Sequence, residues 1–417
     1  MNVGDHVEVA IERPAHGGIG VGVTGADSRV ILVASAFPGD RVMARVTHTK
    51  RSFVRAEIVQ VLAAGKYRGE QRCTAADQSG GCCDFGVVHP EYELELKTAV
   101  LQDQLRRIAG ITTLPEIEQE DLQPTAGWRV RWRLGVDAQG RAGVRRRGGN
   151  EVVWQHHCVQ APEGLLDGIV GEQAARFTPG AELIVALGSD GNRTVCETNS
   201  AARGRRVERA QRHIEGPEYV VQDVGRLRYE LPPPVFWQSH RGAPESYTRR
   251  ARVWLSDVLQ GHHGSGIGWD LYGGVGLFVP SILDALSTTN AASIAVHSVE
   301  TSPLAASVGS AALQGLPVRF HRRGVEKQLP QLPAPDAVVL DPPRKGAGGE
   351  TITAIAQARP RVALHIGCDP ATFARDCGAW KENGYELTRL AVVNAFPGTH
   401  HSETFGLFEP ARLGSRG

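Results

Sequence analysis

Short apolar runs alternate with helix-like stretches along the second half of the chain, from residue 226 to the end. Strands that alternate with helices form mostly parallel sheets, since each helix carries the chain back to the starting edge. This alternation therefore predicts a Rossmann-like α/β domain over residues 226–417. Because 417 residues exceed what one core holds, we expect further domains at residues 1–64 and 65–225.

Reactive side chains stand where three of these apolar runs end or begin. Asp341 opens the sequence DPPR after AVVL, Cys368 follows VALHIG, and Glu403 closes NAFPGTHHSE. Side chains at the carboxyl ends of strands meet at one edge of an α/β sheet, where such proteins bind their ligands. The two prolines after Asp341 stiffen its turn and remove backbone donors. We predict one site assembled from these strand ends.

A glycine-rich turn, LYGGVG, lies between the strand-like IGWDL and the following helix. Missing side chains let a ligand approach the backbone there, and the helix N-terminus adds donors. Glu300 ends the next strand and could hold ribose hydroxyls. This pattern fits a dinucleotide and S-adenosylmethionine equally well.

The cysteine and the late glutamate together suit a reaction at a poorly nucleophilic ring carbon. A Cys368 thiolate that adds to carbon 6 of uracil makes an enolate, whose carbon 5 can attack a methyl sulfonium. Glu403 is the candidate base that removes the carbon-5 proton before the cysteine leaves. A lone cysteine after a strand is more often structural, but its combination with DPPR and Glu403 favours catalysis and S-adenosylmethionine.

Residues 1–64 hold five short stretches of alternating apolar and polar residues, punctuated by glycine and proline. This pattern predicts a small closed barrel of the OB type. The sequences GGIGVG and FPGDRV resemble the TRAM domain, a small RNA-binding barrel of RNA-modifying enzymes. With the basic Lys50 and Arg51, that resemblance favours RNA binding over a barrel without a partner.

Residues 65–225 are predicted to form a central α+β domain with an amphipathic helix at 91–109. The stretch 128–133 alternates tryptophan or valine with arginine. An arginine face beside tryptophans suits RNA, while a solvated strand face fits the same pattern. The basic run at 203–212 leaves the same two interpretations open.

Charge and cysteine content limit the classes of protein that remain. The 46 Lys and Arg residues balance 45 Asp and Glu residues, so any nucleic-acid surface must be local. No apolar run is long enough to cross a membrane, and the N-terminus alternates like a strand, so we expect a cytoplasmic protein. Seven cysteines, an odd number, argue against a disulfide framework.

Five motifs together resemble the RNA uracil-5 methyltransferase family: GWDLYGGVG, VETSP, LDPPRKG, IGCDPATFARD and FPGTHHSE. With the TRAM domain in front, the chain is similar to the bacterial 23S rRNA members. The resemblance implies a class I methyltransferase domain at 226–417, with Cys368 as nucleophile and Glu403 as base. It implies RNA as partner, with 23S rRNA favoured and tRNA as the alternative, and a monomer. The implied S-adenosylmethionine-binding residues are Gln238, Tyr272, Gly274, Gly276, Glu300 and Asp341.

The chain departs from that family in three places. Asp369 and Asn394 stand where the family has asparagine and aspartate. Iron–sulfur members carry a first cysteine, then CGGC, then a distant cysteine, but here Ser79 occupies the second position and Cys83 could substitute for it. A [4Fe-4S] cluster is the expected occupant, and a zinc site or a lost cluster are the alternatives. The expected metal ligands are Cys73, Cys82, Cys83 and Cys158.

Two other functions remain to be weighed against RNA uracil methylation. A non-catalytic RNA-binding protein could retain a degenerate methyltransferase domain, but the presence of both Cys368 and Glu403 argues against it. A cytosine-5 methyltransferase would be expected to carry its cysteine beside the proline turn, which here reads DPPR.

Overall fold

The computed structural model of the chain describes residues 1–24, 27–199 and 212–411. Except for Arg212, the basic run at 203–212 lies outside these ranges. Within them, no helix combines the length and the apolar character needed to span a bilayer.

The N-terminal segment forms a closed five-stranded barrel with the neighbour order β1, β2, β3, β5, β4. Its core is built by alternation along the strands, since Val9 and Ile11 on one strand, and Ile31 and Val33 on another, are buried. The predicted OB-like barrel is confirmed. Its strands are β1 (His6–Ala15), β2 (Ile19–Thr24), β3 (Asp27–Ala34), β4 (Arg41–Thr49) and β5 (Phe53–Ala63).

The middle of the chain contains the predicted amphipathic helix and a mostly antiparallel sheet. Its elements are α1 (Thr74–Asp77), α2 (Pro90–Ile108), β6 (Ile117–Asp121), β7 (Arg131–Val136), β8 (Ala142–Arg145), β9 (Val152–Val153), β10 (Glu182–Leu187), β11 (Arg193–Thr198) and β12 (Arg212–Glu215). Six of these strands form one sheet in the order β12, β11, β10, β7, β8, β9. The remaining strand, β6, pairs with a strand near the chain's end.

The last part of the chain opens with a two-stranded hairpin and continues as an α/β sheet. The elements are β13 (Val220–Val224), β14 (Leu227–Leu231), α3 (Ala243–Leu259), β15 (Ile267–Leu271), α4 (Val279–Leu286), β16 (Ala295–Val299), α5 (Pro303–Ala312), β17 (Val318–His321), α6 (Val325–Gln328), a 3₁₀ turn (Leu329–Gln331), β18 (Ala337–Leu340), α7 (Gly349–Gln357), β19 (Val362–Gly367), α8 (Pro370–Glu382), β20 (Tyr385–Asn394) and β21 (Glu403–Pro410). The predicted alternation of strands and helices is confirmed.

The large sheet has eight strands in the order β17, β16, β15, β18, β19, β21, β20, β6. All neighbours are parallel except β21, which runs antiparallel to both β19 and β20. The chain enters at β15, moves out to β17 and then returns to β18 on the other side of β15. This reversal leaves a crevice outside the carboxyl ends of β15 and β18, where doubly wound sheets bind ligands.

Helices cover both faces of this sheet. Along β18, Val339 packs with the core under α3 and α4, whereas Val338 and Leu340 pack with the core under α7 and α8. Helix α2 joins the second layer, because its Leu101 lies in the same core. Helix α2 and strand β6, which precede the antiparallel sheet in the sequence, therefore complete the C-terminal layer structure.

Candidate active site

Cys368 lies directly after β19, at the turn into α8. Asp369 begins that helix as its N-cap, where one carboxylate oxygen accepts hydrogen bonds from the backbone N–H groups of Ala371 and Thr372. Burial raises the pKa of the Cys368 thiol, and the nearby carboxylates of Glu403 and Asp341 raise it further, while Arg344 acts in the opposite direction. The thiol is thus held in the protonated form until its surroundings change.

Glu403 begins β21, which lies next to β19. The ladder between the two strands ends at the pair of Gly367 and Thr404, Cys368 and Glu403 are the next residues beyond that end, and the Glu403 charge acts on the Cys368 thiol. The structure therefore brings together the two residues that the sequence assigns to catalysis.

The Glu403 carboxyl is buried and incompletely hydrogen-bonded. The residue is 6% exposed, and its Oε2 atom has no hydrogen-bond partner among the described residues. Burial raises the pKa of this carboxyl well above its usual range, the charge of Asp341 adds to the rise, and Arg344 opposes it. A carboxylate in such a place binds a proton more strongly than one in water, which suits a general base.

The glycine-rich turn after β15 lies against the end of β16. Glu300 accepts hydrogen bonds from the backbone N–H groups of Gly274 (3.0 Å) and Ser302 (2.6 Å), so its carboxylate links the two strand ends. Gly274 has a φ of +57°, and a Cβ there would meet open space, whereas a Cβ on Gly276 would contact Leu313 and Phe320. Gly274 thus faces the crevice, and Gly276 is required by packing.

The remaining residues predicted to bind the cofactor lie on separate elements. Asp341 follows β18, and its backbone N–H donates to the Leu271 carbonyl at the end of β15. Tyr272 adopts a φ of +59°, and burial raises the pKa of its hydroxyl to about 12. Gln238 is buried in the segment between β14 and α3. The structure therefore places Asp341 beside the end of β15, whereas the Tyr272 side chain packs toward Thr351 of α7.

Two further buried residues lie near the site, and Asp270, as part of the motif GWDLYGGVG, is the one with a sequence signal. Asp270, the fourth residue of β15, accepts a hydrogen bond from the Ser298 hydroxyl, and burial raises the pKa of its carboxyl to about 7. Tyr247 of α3 is buried with its hydroxyl lacking a hydrogen-bond partner among the described residues, and burial together with Glu403 raises the pKa of that hydroxyl. An aromatic residue within an amphipathic helix is read as core from sequence, so this hydroxyl could not have been singled out.

The four cysteines Cys73, Cys82, Cys83 and Cys158 form a buried cluster, called here the cysteine pocket. Their sulfur atoms all lie within 4.8 Å of one another, with Sγ–Sγ distances of 3.8 Å (Cys73–Cys82), 3.6 Å (Cys73–Cys158) and 3.4 Å (Cys83–Cys158). Ser79 is exposed on the preceding turn with a φ of +69°. The fourth sulfur of the pocket is therefore that of Cys83.

The donor set of the cysteine pocket fits a metal centre. Four thiolates are the ligands of an iron–sulfur cubane and also of a structural zinc ion. The buried Arg129 guanidinium lies close enough to Cys158, Cys82 and Cys83 for thiolate charge to act on its pKa, against the lowering effect of burial. This cation offsets the negative charge that four thiolates would bring into the interior.

The cysteine pocket lies behind the loop that leads to Glu403. The backbone N–H of Phe85 donates to the Gly398 carbonyl (3.0 Å), and Asp84 accepts from the backbone N–H of His400 (2.9 Å). On the other side of the loop, the Gly398 N–H donates to both oxygens of the Glu93 carboxylate, at 3.0 and 2.9 Å. The segment after the cysteines and helix α2 therefore hold this loop between them.

Asn394, one of the departures noted in the sequence, lies in a buried polar network. Its side-chain oxygen accepts from the Lys97 ammonium, and its amide donates to Asp121 at 2.7 Å. Burial lowers the pKa of Lys97 to about 8, and Glu93 opposes that change. An aspartate at position 394 would add a third carboxylate beside one lysine, so the amide suits this network better.

The arginines of β7 and of the residues just before it are engaged within the protein. The Arg129 guanidinium stacks on Trp132 at 4.5 Å, Arg131 donates to the Pro233 carbonyl at 2.8 Å, and Arg133 pairs with Glu182 at 3.4 Å. The contact with Pro233 joins the antiparallel sheet to the segment after β14, and the other two contacts lie within the sheet region. The proposed RNA face of the stretch 128–133 is therefore built largely of structural arginines.

Comparisons with known proteins agree with this arrangement. Residues 1–59 match the TRAM domain family, and residues 279–410 match the family described as tRNA (Uracil-5-)-methyltransferase. The chain is 50% identical over 407 residues to an uncharacterized RNA methyltransferase of Corynebacterium glutamicum, covering 97% of each protein. It is 31% identical over 443 residues to an uncharacterized RNA methyltransferase of Streptomyces avermitilis, covering 99% of this chain and 100% of the relative.

One solved structure shares the fold over almost the whole chain. It is the Pyrococcus abyssi tRNA (uracil-54, C5)-methyltransferase in complex with S-adenosyl-L-homocysteine, which superposes with a TM-score of 0.66. The match covers 96% of this chain and 100% of that one at 18% sequence identity, so it concerns the fold.

Proposed function

This chain belongs to the family of RNA methyltransferases that join a TRAM domain to a uracil-5-methyltransferase domain, and we propose that it methylates carbon 5 of a uridine in 23S rRNA. The methyl donor is S-adenosylmethionine. The observation that carries the proposal is the closeness of the Cys368 thiol to buried Glu403, whose Oε2 atom has no hydrogen-bond partner among the described residues. A nucleophile and a base close together at one sheet edge are what methylation of a ring carbon requires.

The reaction begins with the Cys368 sulfur. The thiolate adds to carbon 6 of the uracil, and the electron pair of the 5,6 double bond moves toward the oxygen on carbon 4 as an enolate. Arg344 supports this step, since its charge lowers the pKa of Cys368 against the effect of burial and the carboxylates. Carbon 5 then attacks the methyl group of S-adenosylmethionine, whose carbon–sulfur bond breaks and leaves S-adenosylhomocysteine.

Glu403 acts as the base in the second half of the reaction, after methyl transfer. Its carboxylate accepts the proton from carbon 5, the electron pair restores the 5,6 double bond, and the Cys368 thiolate leaves carbon 6. The burial that raises the pKa of Glu403 makes its carboxylate a strong proton acceptor in this step. The cycle ends with a protonated Glu403 that must return its proton to solvent.

S-adenosylmethionine would occupy the crevice outside β15, β16 and β18. Glu300 would hold the ribose, the backbone at Gly274 would allow close approach, and Asp341 would lie near the methyl-bearing end. Tyr272, Gln238 and Gly276 complete the set, the last by packing. Methyl transfer requires the uracil to enter between this crevice and Cys368, so the base must leave its stack.

The assignment to 23S rRNA rests on the order of domains, with an RNA-binding barrel in front of a cysteine-bearing segment and the catalytic sheet. The T-loop of tRNA is the alternative substrate. The enzyme would act as a cytoplasmic monomer, since it brings its own RNA-binding barrel to the catalytic domain.

The cysteine pocket would bind a [4Fe-4S] cluster through Cys73, Cys82, Cys83 and Cys158. A structural zinc ion is the second candidate, because Zn–S bonds of about 2.3 Å place tetrahedral sulfurs about 3.8 Å apart. Three of the six Sγ–Sγ distances are 3.4 to 3.8 Å and the others are at most 4.8 Å, which is near that spacing, whereas a cubane holds its thiolates farther apart. Iron, sulfide and zinc analysis of the purified protein distinguishes the two candidates.

The decisive experiment is methyl transfer from labelled S-adenosylmethionine to total RNA from a strain that lacks the gene. We expect label in 5-methyluridine, mapped to one position of 23S rRNA, and none with the Cys368→Ala variant. Label in tRNA would change the substrate and keep the chemistry. Label in 5-methylcytidine, or no label with RNA binding intact, would overturn the uracil assignment in favour of cytosine chemistry or a non-catalytic RNA-binding protein.

A further inference from the structure

The barrel reaches the catalytic edge of the sheet through the turn between β1 and β2. His16 lies in this turn, and its Nε2 is 3.1 Å from a carboxylate oxygen of Asp369. The ring of His16 also meets the ring of His400 edge-on, with centroids 5.7 Å apart. A residue of the RNA-binding barrel thus touches the residue that directly follows the catalytic cysteine.

Asp369 uses its two oxygens for different purposes. Its Oδ1 accepts from the backbone of α8, and its Oδ2 accepts from His16. Burial alone would raise the pKa of this carboxyl, but the hydrogen bonds from His16 and from the Thr372 backbone outweigh burial and lower it. Asp369 therefore stays ionised beside the thiol.

An ionised Asp369 opposes the formation of a thiolate at Cys368. Its charge is one of those that raise the pKa of the thiol, together with Glu403 and Asp341, and Arg344 is the cation that acts against them. A hydrogen bond from His16 to Asp369 draws part of that negative charge away from the sulfur. The same bond fixes the turn that carries Cys368.

We propose that His16 is a positioning residue for methyl transfer, so that the barrel completes the active site through the His16–Asp369 contact in addition to binding RNA. This inference rests on the proposed function of Cys368. It predicts that His16 is needed only while residue 369 is charged, because an asparagine can cap α8 without adding charge beside the thiol.

A double-mutant cycle tests the coupling between the two residues. We expect His16→Ala to lower kcat about tenfold while KM for RNA and S-adenosylmethionine changes less than about twofold. His16→Gln, which keeps an N–H donor, should retain most of the activity. In the Asp369→Asn background, His16→Ala should change kcat by less than about twofold.

A second readout does not depend on methyl transfer. Cys368 is half-buried while the other six cysteines are buried, so iodoacetamide should alkylate it first, and peptide mapping identifies the modified residue. His16→Ala should move the midpoint of the pH dependence of alkylation upward by about half a unit or more, and Asp369→Asn should move it downward. If no 5-methyluridine is formed, the proposed function is overturned. The midpoint of Cys368 alkylation then still tests the His16–Asp369 contact.

Three results would overturn the inference. They are an unchanged kcat and midpoint in His16→Ala, an equal loss of kcat in both backgrounds, and a loss confined to KM for RNA. Thermal unfolding establishes that each variant is folded, and His16→Ser replaces the alanine variant if that one is not.

Discussion

The protein holds cysteines in two contrasting surroundings, the cysteine pocket and the catalytic edge of the large sheet. In the pocket, four buried thiols face one another beside the Arg129 cation. At the edge, the single thiol of Cys368 is half-buried beside the carboxylates of Glu403 and Asp341. This contrast shows that the groups around a cysteine thiol determine its chemical role. Converging thiols suit a bound ion, and one partly accessible thiol beside a base suits a covalent reaction.

The largest effect should come from removing the Cys368 thiol at the catalytic edge of the large sheet. Cys368→Ala should lower methyl transfer by about 10⁴-fold or more, because the nucleophile that adds to carbon 6 of the uracil is then missing. Single-turnover transfer to RNA measures the loss. Cys196→Ala is the matched control, since Cys196 is buried in β11 away from both sites, and it should keep nearly full activity. Comparable losses of methyl transfer in Cys368→Ala and Cys196→Ala would refute a specific catalytic role for Cys368.

Removing the base should separate the two halves of the reaction. Glu403→Gln should reduce turnover by about 10²- to 10⁴-fold, since the carbon-5 proton then stays in place and the cysteine cannot leave. A covalent protein–RNA adduct that survives denaturing electrophoresis should accumulate when S-adenosylmethionine is present. The double variant Cys368→Ala/Glu403→Gln should form none. An adduct that persists in the double variant would assign the bond to another residue.

The cysteine pocket is tested by exchanging its fourth ligand. Cys83→Ser should lower the metal content of the purified protein to less than about a tenth, because the ligand set loses one of its thiolates. Ser79→Ala should leave the metal content unchanged, since Ser79 is exposed. Elemental analysis of both variants gives the comparison. If Cys83→Ser retained the metal and Ser79→Ala lost it, the fourth ligand would be Ser79 and not Cys83.

The smallest effect should come from a substitution at Gly398, where the loop that leads to Glu403 lies against the cysteine pocket. Gly398 has a φ of +80°, and a Cβ there would lie 3.7 Å from the Cys83 sulfur. Gly398→Ala should destabilise the fold by about 1–3 kcal/mol and lower kcat, while S-adenosylmethionine binding is unchanged. Gly384→Ala is the control, because Gly384 has a φ of +79° with nothing within 4 Å of its Cβ position. It should lose similar stability in thermal unfolding and keep its kcat. Equal kcat values for Gly398→Ala and Gly384→Ala would show that the contact between the loop and the cysteine pocket does not affect catalysis.

Local patterns allowed much of this fold to be predicted from sequence. The barrel strands alternate with a period of two, helix α2 shows helical spacing, and the reactive residues stand at strand ends. Each of these signals extends over about ten neighbouring residues. That is why the sequence alone assigns Asp341, Cys368 and Glu403 to one edge of the sheet.

Long-range contacts could not be predicted in this way. Glu93 and Gly398 are 305 positions apart, and nothing near either residue indicates the other. The arginines before and within β7 also gave an ambiguous signal, since a charged residue on a strand looks the same whether it meets RNA or a backbone carbonyl such as that of Pro233. His16 was missed for the same reason, because a histidine in a turn carries no indication of its partner Asp369.

The position of α2 and β6 in the C-terminal layers has a consequence for the order of synthesis. Strand β6 leaves the ribosome long before its partner β20, and the apolar side of α2 must wait for Phe373 and Trp380 of α8. Both therefore spend most of translation unpaired, in a state where exposed strands and apolar faces attract other chains. A fragment that begins at residue 226 would lack these two covers, leaving the outer edge of β20 and the Trp380 face open to water. The catalytic half should therefore aggregate when it is expressed alone, and it should become soluble when a segment that contains residues 90–121 is supplied with it.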